Sequence, residues 1–116
     1  MEFKLLNHAN QLNQIDTLSQ SVLQVIFKHS TRCSVSSMAK KVLTQELLVN
    51  KSGLPDVYYL DLISLRELSN TISKRYTVVH ESPQMLIIKD GKCIYHASHS
   101  AVSLEIGMAA VNAAAL

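Results

Sequence analysis

Cysteine, proline, glycine and net charge are all scarce in this sequence, and no apolar run is long. Two cysteines, Cys33 and Cys93, cannot build a disulfide-dense secreted scaffold, and a reducing compartment would keep both as thiols. Three glycines, two prolines and no low-complexity run argue against a disordered or fibrous chain. Eleven Lys and Arg against nine Asp and Glu leave a formal charge of +2, far from the basic stripe that neutralising many phosphates requires, so nucleic acid is not an expected partner. The apolar stretch from Val22 to Phe27 is interrupted by Gln24 and falls well short of the about 20 residues that span a bilayer. The first residues lack the basic and apolar segments of a secretory signal, so a cytoplasmic protein with no membrane partner is expected.

What is present suits one core: 116 residues, 47% of them hydrophobic, read as a single domain over residues 1–116. A short strand is expected at Glu2 to Leu6, then a helix carrying Leu12, Ile15 and Leu18 on one face. Val22 to Lys28 reads as a buried strand ending in the polar run His29-Ser30-Thr31-Arg32. After Cys33, residues Val35, Met38, Ala39, Val42, Leu43 and Leu47 recur at helical spacing, with Lys40, Lys41 and Gln45 on the other side. A loop from Asn50 to Pro55 ends that helix, and Asp56 to Leu62 reads as a second buried strand. Ser64 and Glu67 have the spacing of a capping box at the start of a helix whose inner stripe is Leu65, Leu68, Ile72 and Tyr76. Asp90-Gly91 joins two apolar runs between Gln84 and His96, which predicts a hairpin, and Ser100 to Leu116 favours a helix weakened at Gly107. The resulting order, β-α-β-α-β-α-β-β-α, predicts a mixed α/β sheet, parallel in its first part, with helices on both faces. Ligands meet such sheets at the carboxyl ends of the strands, where Cys33 falls.

A cysteine between a strand and a helix sits where unpaired amides and the helix dipole favour negative charge, so the thiolate is favoured there. Lys28 and Arg32 would add positive charge, and Ser36, three residues on, occupies the place of the second sulfur of a dithiol motif. A serine hydroxyl cannot resolve a disulfide, but at this spacing it can donate a hydrogen bond to the Cys33 thiolate. The segment therefore reads as a monothiol site, in which an adduct on Cys33 is opened by another molecule or a distant cysteine. His29 is read equally as a tuning residue or as a surface histidine. Cys93, His96 and His99 suggest zinc, yet on a regular strand Cys93 and His96 point to opposite faces and a fourth ligand is wanting, so no metal site is expected.

Phe27 through Ser36 resembles the active-site segment of the YtxJ-like monothiol bacilliredoxins. Tyr58-Tyr59-Leu60-Asp61, Arg66 through Asn70, His80 through Gln84 and His96 through His99 resemble the same family in the same order, so the likeness runs over residues 22–100. It implies a thioredoxin-like fold of four to five strands and an oxidoreductase that removes a small thiol, bacillithiol, from S-thiolated proteins. Bacillithiol would then be a co-substrate, with no tightly bound cofactor. Cys33 would be the nucleophile, stabilised by Arg32, Ser34 and Ser36. Ser82-Pro83 resembles the cis-proline of thioredoxin-like proteins, making Thr31, Ser82, Pro83 and Gln84 candidates for substrate binding. Ser34 stands where the family carries proline, which returns an amide donor to the turn and loosens it. Two rival functions stay open at this level: an iron–sulfur cluster carrier of the monothiol-glutaredoxin kind, and a thioredoxin-like adaptor with an inert thiol.

Overall fold

A computed structural model describes residues 3–49 and 54–114. Its elements are β1 (Lys4–Leu5), α1 (Gln11–Leu18), β2 (Gln24–His29), α2 (Ser34–Val49), β3 (Val57–Asp61), α3 (Arg66–Tyr76), β4 (Gln84–Lys89), β5 (Lys92–Ser98) and α4 (Leu104–Ala114), with a 3₁₀ turn at His99–Ala101 before α4. The sheet order is β1-β3-β2-β4-β5. β1 and β2 run parallel to β3, whereas β4 is antiparallel to both β2 and β5. The expected order and mixed sheet are therefore present. Glu2, residues 50–53 of the expected loop, and the last two residues of the expected C-terminal helix lie outside the described residues.

Strand alternation divides the interior into two layers. Ile26, Tyr58, Leu60, Leu86 and Ile88 pack with Leu12 and Ile15 of α1 and Leu68, Ile72 and Tyr76 of α3. Val25, Phe27, Val57, Met85 and Ile87 pack on the other side with Ala39, Leu43 and Leu47 of α2 and Leu104 of α4. β2 lies third of five and is buried along its whole length, so its even residues face α1 and α3 while its odd residues face α2 and α4. Gly107 sits where α4 approaches the sheet: a Cβ there would come within 3.0 Å of Ile87, Met85 and Tyr95. The residue that weakens the helix in isolation is what lets it approach.

Several local expectations are corrected. The inward line of α2 is Ser36, Ala39, Leu43 and Leu47, while Val35, Met38 and Val42 form an adjacent stripe open to solvent. Leu18 is exposed at the end of the two-turn α1. The Ser64 to Glu67 capping box does not form, because Asp61 takes the Ser64 hydroxyl at 3.1 Å and accepts from the Ile63 amide, leaving Leu65 to open α3. Asp90 and Gly91 both have positive φ, as the hairpin reading requires, and a register irregularity follows in β5. Cys93 pairs with Ile88 and His96 with Leu86, two positions on one face of β4. The irregularity thus returns Cys93 and His96 to the same face, against the alternation of a regular strand.

Candidate active site

β2 ends at His29, and the chain turns through residues 30–33 into α2. The Cys33 amide donates to the Ser30 carbonyl, and the Cys33 carbonyl accepts the Ser37 amide, closing the first turn of α2. Cys33 is therefore the N-cap residue, with a sulfur where a capping side chain ordinarily carries oxygen. The amides of residues 34–36 precede that first intrahelical bond, and the positive end of the helix dipole lies at the same place. The thiol is half-buried. Arg32 and Ser34 are exposed on either side of it.

Ser36 has a different role from the one expected. It points into the sheet and is fully buried; its oxygen accepts from the Ser30 amide at 2.9 Å and lies 2.7 Å from Nδ1 of His29. Its hydrogen bonds in the structure thus tie the turn to the strand rather than reaching the sulfur. His29 is no surface histidine either: it is buried, with its ring centroid 5.8 Å from Phe27 and 5.6 Å from Tyr59. Burial lowers its pKa and Lys40 adds to that, against opposing effects of Ser36 and Asp61. A neutral ring results near pH 7, suited to exchanging a hydrogen bond with a hydroxyl.

Lys28 departs furthest from expectation. Instead of adding charge beside Cys33, it points to the opposite face of the sheet, toward α3, and is fully buried. Its ammonium donates to the Ser69 carbonyl (3.1 Å) and the Ser73 hydroxyl (3.0 Å) and meets His80 Nδ1 at 3.3 Å. Burial pulls its pKa down to about 8. The sequence signal was there: a lysine one residue from the end of a strand otherwise apolar from Val25 to Phe27.

His80 opens the segment that leads into β4, and in that segment the Ser82–Pro83 peptide is cis. The Pro83 carbonyl accepts from the His99 amide at 2.9 Å, joining this segment to the 3₁₀ turn. Gln84, expected in the substrate groove, is fully buried; it pairs in register with Lys28, and its side-chain amide donates to the Val79 carbonyl. It supports the segment from beneath. Ser82 is partly exposed and Pro83 buried.

Two grooves flank α2. One is apolar, formed by Val35, Met38, Ala39 and Val42 against His99, Ser100 and Val102. The other runs past the lysines of α2, with His29, Thr31, Ser37, Lys40, Lys41 and Thr44 along it. Thr31 therefore borders the lysine side, and Lys40 stands 5.0 Å above the Tyr59 ring. Cys93 lies on the far side of the sheet, packed against the α1/α3 layer, and its thiol donates to the Tyr95 carbonyl at 3.2 Å. Burial raises its pKa. Among the described residues no three His, Cys, Asp or Glu side chains converge as a metal site would require, and no helix is long and apolar enough to cross a membrane.

A family model described as monothiol bacilliredoxin BrxC matches residues 4–106. The chain belongs to this family. Among solved structures, one described as an oxidoreductase candidate with a thioredoxin fold is similar with a TM-score of 0.79 at 26% identity, over 94% of this chain and 92% of the other. Thioredoxin from Trypanosoma brucei brucei gives a TM-score of 0.74 at 11% identity, over 99% of this chain and 93% of its own. The corresponding values for Fasciola hepatica thioredoxin are 0.68 and 17%, over 95% and 98%. The last two likenesses establish the fold alone. This bacilliredoxin-family chain has the thioredoxin fold, and family and fold together support a thiol oxidoreductase.

Proposed function

We propose that this protein removes a small thiol from S-thiolated proteins, with Cys33 as the nucleophile and the whole chain acting as one thioredoxin-like domain. The Cys33 thiolate attacks the small-thiol sulfur of the mixed disulfide, and the protein cysteine leaves as a thiolate. Cys33 then carries the small thiol in a new disulfide. A second small-thiol thiolate attacks that adduct at the small-thiol sulfur, producing the symmetrical small disulfide and returning Cys33 as a thiolate. One protein mixed disulfide is reduced, one free small thiol is consumed, and the two small-thiol units leave as the symmetrical disulfide with no bound cofactor needed.

The observation that carries this reading is Cys33 as the N-cap of α2, half-buried at the end of the helix where the dipole is positive. The paired grooves add to it. An apolar wall of Val35, Met38 and Val42 suits an incoming polypeptide, and Lys40 and Lys41 on the other wall suit an anionic small thiol. Family membership makes bacillithiol the leading small thiol and a reducing cytoplasm the leading location. The test is mass spectrometry of Cys33 after incubation with a protein carrying a bacillithiol mixed disulfide. Transfer of the adduct to Cys33, abolished by Cys33→Ser, is the expected result; transfer that survives the substitution would overturn the assignment.

A further inference from the structure

Among the described residues the buried ammonium of Lys28 has no carboxylate hydrogen-bond partner, and neutral acceptors compensate its burial. It has three protons and three acceptors: the Ser69 carbonyl and Ser73 hydroxyl belong to α3, and His80 Nδ1 belongs to the segment before β4. Two partners are therefore fixed by a helix, and the third is set by where the 80–83 segment lies. That segment ends at Pro83, whose carbonyl accepts from the amide of His99, a residue of the apolar groove along α2. The same corner holds three buried polar atoms with no hydrogen-bond partner among the described residues: Ser82 Oγ, Gln84 Oε1 and Ser98 Oγ. Gln84 lies between Lys28 and Ser98 in register. A corner serving stability alone would be filled with apolar side chains, as the rest of this layer is.

We propose that Lys28 and His80 form a proton-sensitive clamp that positions the 80–83 segment, and through it the His99 side of the groove, for the protein substrate. The inference rests on the reading of Cys33 and its groove given above. Lys28 is a positioning residue, since it acts through His80 and touches neither sulfur nor substrate.

The clamp needs His80 neutral, with Nδ1 unprotonated to accept from Lys28 and the proton on Nε2. Protonation turns Nδ1 into a donor, which ends its bond to the Lys28 ammonium and leaves the Ser69 hydroxyl, also 3.3 Å away, as its partner. The groups that face His80 are Lys28 from β2, Arg66 from α3 and Glu81 from its own segment. Burial and then the two cations lower its pKa, and Glu81 partly opposes them, so the clamp is closed at neutral pH and opens in acid.

Imidazole NMR on the full chain, with kinetics on an S-thiolated protein, tests this. The expected result is the Nε2–H tautomer for His80 and a titration midpoint below that of a free histidine, rising in Lys28→Met. The KM for the protein mixed disulfide should rise about five-fold in Lys28→Met and in His80→Ala, with alkylation of Cys33 by a small uncharged reagent changed less than about two-fold. His80 is exposed, so His80→Ala keeps the measurement available if Lys28→Met does not fold. An Nδ1–H tautomer, a His80 midpoint unmoved by Lys28→Met, or an unchanged KM in His80→Ala would overturn the clamp. A wild-type protein that transfers no adduct to Cys33 would overturn the proposed reaction and the clamp's purpose, while tautomer and titration would still report whether the clamp exists.

Discussion

The two faces of the central sheet each carry one cysteine and one buried polar group from the end of β2, and they use them in opposite ways. On the α2 face, His29 and Ser36 fix the turn that makes Cys33 an N-cap. On the α1/α3 face, Lys28 holds the segment before β4, and Cys93 sits on an edge strand, its sulfur bonded to a carbonyl two residues away. The two thiols are both half-buried, so exposure does not separate them. What separates them is position: Cys33 caps the start of α2, whereas Cys93 lies on an edge strand with its thiol donating to the Tyr95 carbonyl.

The contrast is broken most severely at Cys33 itself. Cys33→Ser should reduce adduct transfer to background, while Cys93→Ser should leave the rate within about two-fold, since neither the N-cap nor the grooves involve it. Comparable losses in single-turnover assays of the two variants would erase the distinction.

Lys28 offers the next effect, read in stability. Its folded-state pKa, about 8, lies below the ordinary 10.5, so between these values the unfolded chain holds a proton that the folded chain has released. Stability therefore rises with pH across that window and is lost as pH falls from 10.5 toward 8. Between pH 8 and 10 the gain is about 2 kcal/mol, from 1.36 kcal/mol per unit. Urea unfolding at both pH values should show it in wild type and not in Lys28→Met; an equal slope in both would place the titration elsewhere.

The opposite face is probed by Ser36→Ala. Losing the hydroxyl strands the Ser30 amide and His29 Nδ1, which should cost about 1–2 kcal/mol in denaturant unfolding. It should also slow transfer by loosening the turn before Cys33. A fully stable variant would mean that the pair does not hold the turn.

The smallest effect comes from acid. His29 and His80 both have lowered pKa values, so each contributes stability that is whole above the ordinary histidine value and declines as pH falls through it toward the folded value. His80→Ala should remove part of that acid loss and leave the part belonging to His29. An identical decline in the variant would assign all of it to other groups.

Much of the fold was legible because several local signals agreed. The run from Val25 to Phe27, the Asp90-Gly91 turn and the helical spacing after Cys33 all favour the same mixed sheet. Cys33 at the strand-to-helix junction followed from that order. The misread features depend on partners distant in sequence or on backbone irregularity. Lys28 looked like a neighbour of Cys33 along the chain, but the strand turns it to the other face. Gln84 and Ser36 looked available to the site until the packing enclosed them. Asp61 captured Ser64, and the irregularity in β5 reversed the facing of Cys93 relative to His96. None of these is a property of a local window.

The difference between the two thiols is tested most directly by their separate alkylation rates, measured by peptide mass spectrometry on the native chain and again in urea. Because Cys33 caps a helix start while burial against the α1/α3 layer raises the pKa of Cys93, Cys33 should react about a hundred-fold faster in the native state, with the ratio collapsing toward unity on unfolding. Equal rates in the native state, or a ratio that persists in urea, would contradict that claim.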